Sequence, residues 1–294
     1  RSALPAEPLM IDQIKVKLNL ALDAISRADF PRAIEILGEL AVEDSENGEV
    51  WQQLGVCYLE TRQPHRALEA LTRAAGSSIG GATTHLLLGH AYGSTGELEP
   101  AAACYRRALE LDPYHAKAEE FLIKTESLLE SREHYRNAVK LLYSSEPTAQ
   151  DLNRAIRDLV HSIAIFDGSP ARGNLRECAE RILPFRRDHA ILVTAAPELE
   201  PWVRACERGY QCITAKNWIG ARAAYDEALI YRVDDDFVHH SLGFCFAQLD
   251  ETGDAVRAWL RVLEISPEYD FTCFGRVSRS ADPALGSAAF GRPV

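Results

Sequence analysis

The feature that most constrains the fold is a fixed spacing of 34 positions between alanines that follow a turn. These alanines are Ala33, Ala67 and Ala101, and later Ala221 and Ala255. Self-similarity at a fixed spacing is typical of repeat proteins, in which each unit buries its apolar face against its neighbours. The spacing therefore predicts stacked copies of one small unit, in two separate runs.

Each unit is predicted to be two helices joined by a turn. In "TRQP" (61–64) the proline can open a helix, and in "GELE" (96–99) the glycine stands where a helix ends. In "ELDPYH" (110–115) Asp112 precedes a proline, which stops a helix. These signals predict antiparallel helix hairpins, with one turn inside each unit and one between units.

Large and small residues recur at fixed offsets within the units. Before Ala67 stand Trp51, Leu54, Gly55 and Tyr58, and before Ala101 stand His85, Leu88, Gly89 and Tyr92. This spacing resembles the tetratricopeptide repeat. In the copy around Ala33 the Trp, Gly and Tyr positions hold Lys17, Ala21 and Ala24. The resemblance implies an all-α fold, a right-handed superhelical solenoid of helix hairpins, and a function in binding proteins or peptides.

A glycine inside a helix, such as Gly55, costs about 1 kcal/mol relative to alanine. We interpret this cost as the result of packing, because a missing side chain lets a neighbouring helix approach closely. The bulky residues Trp51, Tyr58 and Tyr105 would fill the remaining space. These positions are therefore predicted to be structural.

The repeat frame breaks after residue 149, because Gly168 and Pro170 fall inside an expected helix. Within the break, an amphipathic helix is predicted from Leu152, Ile156, Leu159 and Ile163. The predicted organisation has five parts: a disordered N-terminus (1–9), an N-terminal block of three repeats plus one degenerate repeat (10–149), an irregular helical connector (150–200), a C-terminal block of two repeats (201–270) and a flexible tail (271–294).

Composition excludes several classes of function. A net charge of −11 argues against a general nucleic-acid surface, which needs clustered Lys and Arg. The sequence has no apolar run of 18 residues, so no membrane span is predicted. Seven cysteines without a CxxC pair favour a reducing, cytoplasmic location.

Enzymatic chemistry is not predicted. His85 and His90 are five residues apart, and His239 is adjacent to His240, so neither pair has the spacing of a helical metal site. The cysteines Cys57, Cys104, Cys212 and Cys245 are expected to face inward as small apolar residues. We predict no catalytic residue, no metal and no cofactor.

The resemblance implies a ligand groove on the concave face, lined by the first helix of each unit. Among the positions that it assigns to this groove, we select eleven as candidate partner-binding residues: Lys15, Asn19, Gln52, Gln53, Val56, Leu87 and His90 in the first block, and Tyr210, Phe237, His240 and Phe244 in the second. Val56, Leu87, Tyr210 and Phe244 are expected to be exposed apolar anchors.

Some family members grip the terminal carboxylate of a chaperone tail. The matching positions here are Leu18, Leu22, Gln53, Thr83 and Leu87, which supply no cation. No carboxylate-clamp chaperone tail is therefore expected as the partner.

The predicted function is that of a scaffold, adaptor or assembly factor that holds a peptide or partner helix in this groove. Two alternatives stay open. The chain could be the regulatory or substrate-binding part of an enzyme whose catalytic domain lies outside it, or it could assemble with itself into a homo-oligomer.

Overall fold

The computed structural model describes residues 7–77, 79–193 and 200–279, and most of them are α-helical. Thirteen α-helices lie in these ranges: α1 Glu7–Ser26, α2 Phe30–Glu43, α3 Gly48–Glu60, α4 Pro64–Ala75, α5 Ala82–Thr95, α6 Leu98–Leu111, α7 Ala116–Leu142, α8 Ala149–Ile165, α9 Ala171–Ile182, α10 Glu200–Thr214, α11 Trp218–Tyr231, α12 Asp236–Gln248 and α13 Thr252–Ile265. Two strands, β1 Arg187–Val193 and β2 Cys273–Arg279, pair in parallel. The chain divides into two compact units, residues 1–129 and 130–294.

In the first unit the helices form consecutive hairpins, as the sequence predicts. The pairs α1 and α2, α3 and α4, and α5 and α6 pack together, and each hairpin packs on the next. The turns lie at the predicted places. Pro64 is the first residue of α4, and Gly96, which has a φ of 83°, directly follows the last residue of α5. Asp112 follows the last residue of α6.

The packing interpretation of the helix glycines is confirmed. A Cβ atom added to any of four of them would lie less than 3.0 Å from the side chain opposite: Gly55 against Leu71, Gly89 against Tyr105, Gly209 against Tyr225, and Gly243 against Trp259. Each large residue follows its glycine by 16 positions, so the same contact recurs in both units. The glycine's cost in helix propensity is offset by a close approach that a side chain would block.

The predicted fourth hairpin, in residues 116–149, is wrong. The structure has one uninterrupted helix there, α7, of 27 residues. Residues 116–142 contain no glycine or proline that could make a turn between two helices. Residues 116–129 of this helix belong to the first unit.

The predicted connector is part of the second unit. Leu152, Ile156, Leu159 and Ile163 of α8 are buried, which confirms the predicted amphipathic helix. They share one hydrophobic core with α9 to α13. Helices α8 and α9 also pack on α13, the last helix.

The strands correct two further expectations. β1 lies in the segment predicted to be helical, and β2 lies in the predicted tail, with Arg187 aligned to Cys273 and Val193 to Arg279. The prediction that the tail starts at residue 271 is wrong, because Phe271 and Phe274 are 0% and 1% exposed. Burial of these two aromatic rings holds the segment on the unit. The predictions for residues 1–6 and 280–294 lie outside the described residues.

None of the helices in the described ranges combines the length and apolar character needed to cross a bilayer.

Candidate functional site

The first unit has an apolar hollow of about 500 Å³. It is formed by residues of α3, of α5 including its last turn, of α6 and of the start of α7. Its lining residues are Val56, Leu59, Glu60, Leu87, His90, Gly93, Ser94, Tyr105 and Phe121. We call this surface the apolar hollow. It can receive an apolar side chain of a partner.

A second, more polar hollow of about 350 Å³ lies along the N-terminal parts of α3 and α5. Its lining residues are Glu49, Gln52, Gln53, Ile79, Gly81, Ala82, Thr83 and Thr84. The side-chain oxygen of Gln52 accepts a hydrogen bond of 2.6 Å from the Thr84 hydroxyl, which fixes the amide in place. We call this surface the polar hollow.

The repeat explains why these side chains meet. Gln53 and Leu87 occupy the same repeat position, as do Val56 and His90, because the members of each pair are one repeat length apart. Within a helix, residues three or four apart share a face. Five predicted residues, Gln52, Gln53, Val56, Leu87 and His90, therefore line the two hollows. Their role in binding remains a prediction.

Two other predicted residues, Lys15 and Asn19, are exposed on α1 and line neither hollow. The neighbouring Lys17 pairs with Glu43 on α2, with 2.5 Å between its Nζ and the carboxylate.

Sequence reasoning missed Phe121. It lies one repeat length after Leu87, so the repeat frame places it at the next groove position. The signal was present in the sequence, but the poor match of the fourth copy to the repeat pattern hid it. The fourth copy does not form two helices, yet the start of α7 keeps the spacing of the repeat.

His90 contributes the most distinctive polar group of the apolar hollow. Its ring meets Phe121 edge to face, with 4.3 Å between the centroids, and lies 5.9 Å from the Tyr105 ring. Burial, and to a lesser extent the charge of Lys117, lower its pKa, so the ring is neutral at pH 7. Its Nε2 atom is buried and makes no hydrogen bond to another described residue.

The second predicted groove is already filled. Tyr210 is half-buried, but Phe237, His240 and Phe244 are only 7%, 1% and 1% exposed. The expectation that Phe244 is an exposed anchor is therefore wrong. The reason is that the chain's own residues Tyr269, Phe271 and Phe274 surround His240, with ring centroids 5.3, 5.5 and 4.8 Å away.

The thiols are suited to packing and poorly suited to nucleophilic chemistry. Burial raises the pKa of Cys57 to about 11 and that of Cys245 to about 12. Burial also raises the pKa of Cys104, which is half-buried like Cys212. A nucleophilic cysteine needs the opposite shift. Among the described residues, no three His, Cys, Asp or Glu side chains are grouped closely enough to hold a metal ion.

Comparison with known families identifies the repeats. Residues 18–82 and 82–115 match family models described as tetratricopeptide repeat. The first match includes the degenerate copy around Ala33, and the second ends where the predicted fourth copy begins. No curated protein sequence matches the chain.

Several solved structures are similar to the chain at low sequence identity. The Cut9–Hcn1 hetero-tetramer of the APC/C is 14% identical, and the match covers 94% of this chain and 42% of that chain, with a TM-score of 0.35. The tetratricopeptide repeat domain of P58(IPK) is 15% identical, with 88% and 86% covered and a TM-score of 0.40. Pseudomonas aeruginosa PilF is 12% identical, with 89% and 95% covered and a TM-score of 0.36. Similarity at this level does not identify a partner of this chain.

The helix hairpins, the recurring glycine contacts and the family matches agree. These observations identify a scaffold for protein–protein interaction. Folds of this type are typically not catalytic. Residues 18–115 of the chain consist of tetratricopeptide repeats.

Proposed function

We propose that the first unit binds an extended peptide or a helix of a partner protein along α3, α5 and the start of α7. The chain would act as an adaptor or assembly factor. One observation carries this proposal: three helices, α3, α5 and α7, contribute apolar side chains, Val56, Leu87 and Phe121, to a single hollow. Apolar anchors that enter such a hollow supply most of the affinity in peptide recognition.

The polar atoms around the hollows indicate the chemistry of the partner. An apolar side chain would enter the apolar hollow and pack beside the His90 ring. Glu49 and Glu60 line the two hollows, and no Lys or Arg does. This acidic lining favours a partner with Lys or Arg near its anchor and disfavours a free carboxylate. It supports the expectation that chaperone tails do not bind here.

A pair of matched substitutions tests this proposal. Val56→Glu places a charge in the apolar hollow, whereas Val42→Glu makes the same change on α2, at a side chain that is 85% exposed. We expect Val56→Glu to weaken binding by about tenfold or more, equivalent to ~1.4 kcal/mol, because burying an unpaired carboxylate is costly. Val42→Glu should leave the affinity unchanged.

The partner is identified by affinity capture and mass spectrometry with the wild type and both variants side by side. Calorimetry with the purified partner then measures the affinities, and circular dichroism checks that each variant is folded. Double substitution of Gln53→Lys with His90→Glu should also weaken binding. Equal affinity for the wild type and a folded Val56→Glu protein would place the binding site elsewhere.

A further inference from the structure

A segment of the second unit lies across the helices whose counterparts in the first unit line the two hollows. Residues 266–274, which we call the C-terminal strap, follow α13 and lead into β2. They carry Tyr269, Phe271 and Phe274, which surround His240 of α12, and β2 packs on both α10 and α12. The strap thus occupies the face on which the sequence predicts a ligand groove.

Helix α8 holds the strap through its backbone. The Arg157 guanidinium donates hydrogen bonds to the carbonyl oxygens of Pro267, at 2.8 Å, and Tyr269, at 2.7 Å. The side-chain oxygen of Asn153 accepts one from the Phe271 amide, at 3.0 Å. Contacts to main-chain atoms do not depend on the side chains of the segment. Proteins that bind extended peptides use such contacts for affinity.

The aromatic side chains of the strap enter spaces between helices. Phe271 meets the ring of Trp259, with 6.2 Å between the centroids, and Phe274 meets the ring of Phe244, at 5.3 Å. The Arg186 guanidinium lies 4.9 Å from the Phe274 ring. Recognition of an extended peptide combines hydrogen bonds to its main chain with pockets for its side chains. The strap has both kinds of contact.

The fit is incomplete at His240. This side chain is 1% exposed, and neither ring nitrogen makes a hydrogen bond to another described residue. The aromatic rings of the strap fit the space around the imidazole but offer it no partner. A buried polar atom without a partner costs free energy, so another peptide with a hydroxyl or amide group at this point would satisfy what the strap leaves unpaired.

We propose that the C-terminal strap is an intramolecular ligand that closes a peptide-binding face of the second unit and can be exchanged for an external peptide. The external ligand is an extended peptide with aromatic side chains at three positions spaced like Tyr269, Phe271 and Phe274. This face consists of residues other than those of the two hollows, so the inference does not rest on the function proposed above.

The test uses the full chain and a labelled synthetic peptide with the sequence of residues 266–274. The host is either the wild type or a variant with Phe271→Ala and Phe274→Ala, in which the attached strap is weakened. A peptide of the same composition in scrambled order is the control. We expect the variant to bind the native peptide at one to one and about tenfold or more tightly than the wild type does. The attached strap of the wild type competes at a high effective concentration.

A variant that keeps its helical circular dichroism but binds the native and scrambled peptides equally would overturn the proposal. The strap would then be an ordinary part of the core. If the variant does not fold, hydrogen exchange on the wild type decides. Exchange of the Phe271 amide about tenfold faster than the central amides of α12 shows that the strap leaves while the helices stay folded. Equal protection of the two sets of amides overturns the proposal.

Discussion

The imidazole of His240 shows how one residue links the fold of the second unit to pH. Burial lowers its pKa from the ordinary value of 6.5 to about 3, although the carboxylate of Asp270 opposes the shift. The folded chain therefore keeps the ring neutral, whereas the unfolded chain protonates it below pH 6.5. The free energy of unfolding is therefore highest above pH 6.5, the pKa of the histidine in the unfolded chain. It falls as the pH drops from 6.5 toward about 3, the pKa in the folded chain, because only the unfolded chain takes up the proton there.

His240→Leu should remove this dependence. Between pH 6.5 and 4.5 the free energy of unfolding of the wild type should fall relative to that of the variant by up to about 1.4 kcal/mol per pH unit. Urea denaturation at several pH values measures the difference between the two proteins. Parallel curves over this range would show that His240 is hydrated or paired in the folded chain.

Taking the difference is necessary because Asp235 titrates in the opposite direction. Burial raises the pKa of its carboxyl to about 6, although Arg232 opposes the shift. A raised pKa of an acid gives stability that is present below the unfolded pKa of about 3.9 and is lost as the pH rises through 6. The term from Asp235 is common to the wild type and His240→Leu and cancels between them.

At the scale of the element, the turn inside each hairpin uses one backbone conformation. The residue two positions after the first helix of the hairpin, or one position after it in α5, has a positive φ: Ala28 at 59°, Arg62 at 56°, Gly96 at 83°, Lys216 at 56° and Asp250 at 66°. Consecutive members within each run are one repeat length apart. The left-handed conformation costs about 1–2 kcal/mol for a residue with a Cβ atom, and only one of the five turns has a glycine there.

Two reciprocal substitutions test this cost. Gly96→Ala should destabilise the first unit by about 1 kcal/mol, because alanine is strained at this φ. Ala28→Gly should stabilise it by up to about 1 kcal/mol, reduced by the greater chain entropy of glycine in the unfolded state. Thermal unfolding followed by circular dichroism measures both. Changes of the same sign in the two variants would mean that the conformation of the turn does not control the difference.

At the scale of the whole molecule, all seven cysteines are free thiols, and their environments differ. Four are buried, Cys57, Cys178, Cys206 and Cys245, and three are half-buried, Cys104, Cys212 and Cys273. Burial raises the pKa of Cys178 to about 12 and also raises that of Cys206. A thiol with a raised pKa is mostly protonated at neutral pH and reacts slowly.

Iodoacetamide labelling of the folded chain, followed by mass spectrometry of its peptides, should show the three half-buried thiols modified first. The four buried thiols should react only after unfolding in denaturant. Rapid labelling of Cys57 or Cys245 in the folded chain would identify an activated thiol. It would favour a catalytic function, which the raised pKa values disfavour.

The candidate site was predictable wherever the repeat governs it. Gln53 and Leu87 could be grouped from their spacing, and the same spacing points to Phe121. The signal failed at α7, where the repeat register continues but no residue makes the turn. It also failed at Phe244. This residue lies at a groove position, as predicted, but Phe274, from a later part of the chain, packs on it.

The sequence by itself determined the helix hairpins, their turns and the glycine contacts between them. Each of these depends on residues within about one repeat, and stacking repeats interact mainly with their neighbours. Only the tertiary structure decided that residues 150–200 belong to the second unit, that β1 pairs with β2 and that the strap covers α12. The hydrogen bond from Arg157 to Tyr269 joins residues 112 positions apart. A contact of that separation leaves no periodic signal, because it follows from which apolar surfaces remain uncovered once the local elements have packed.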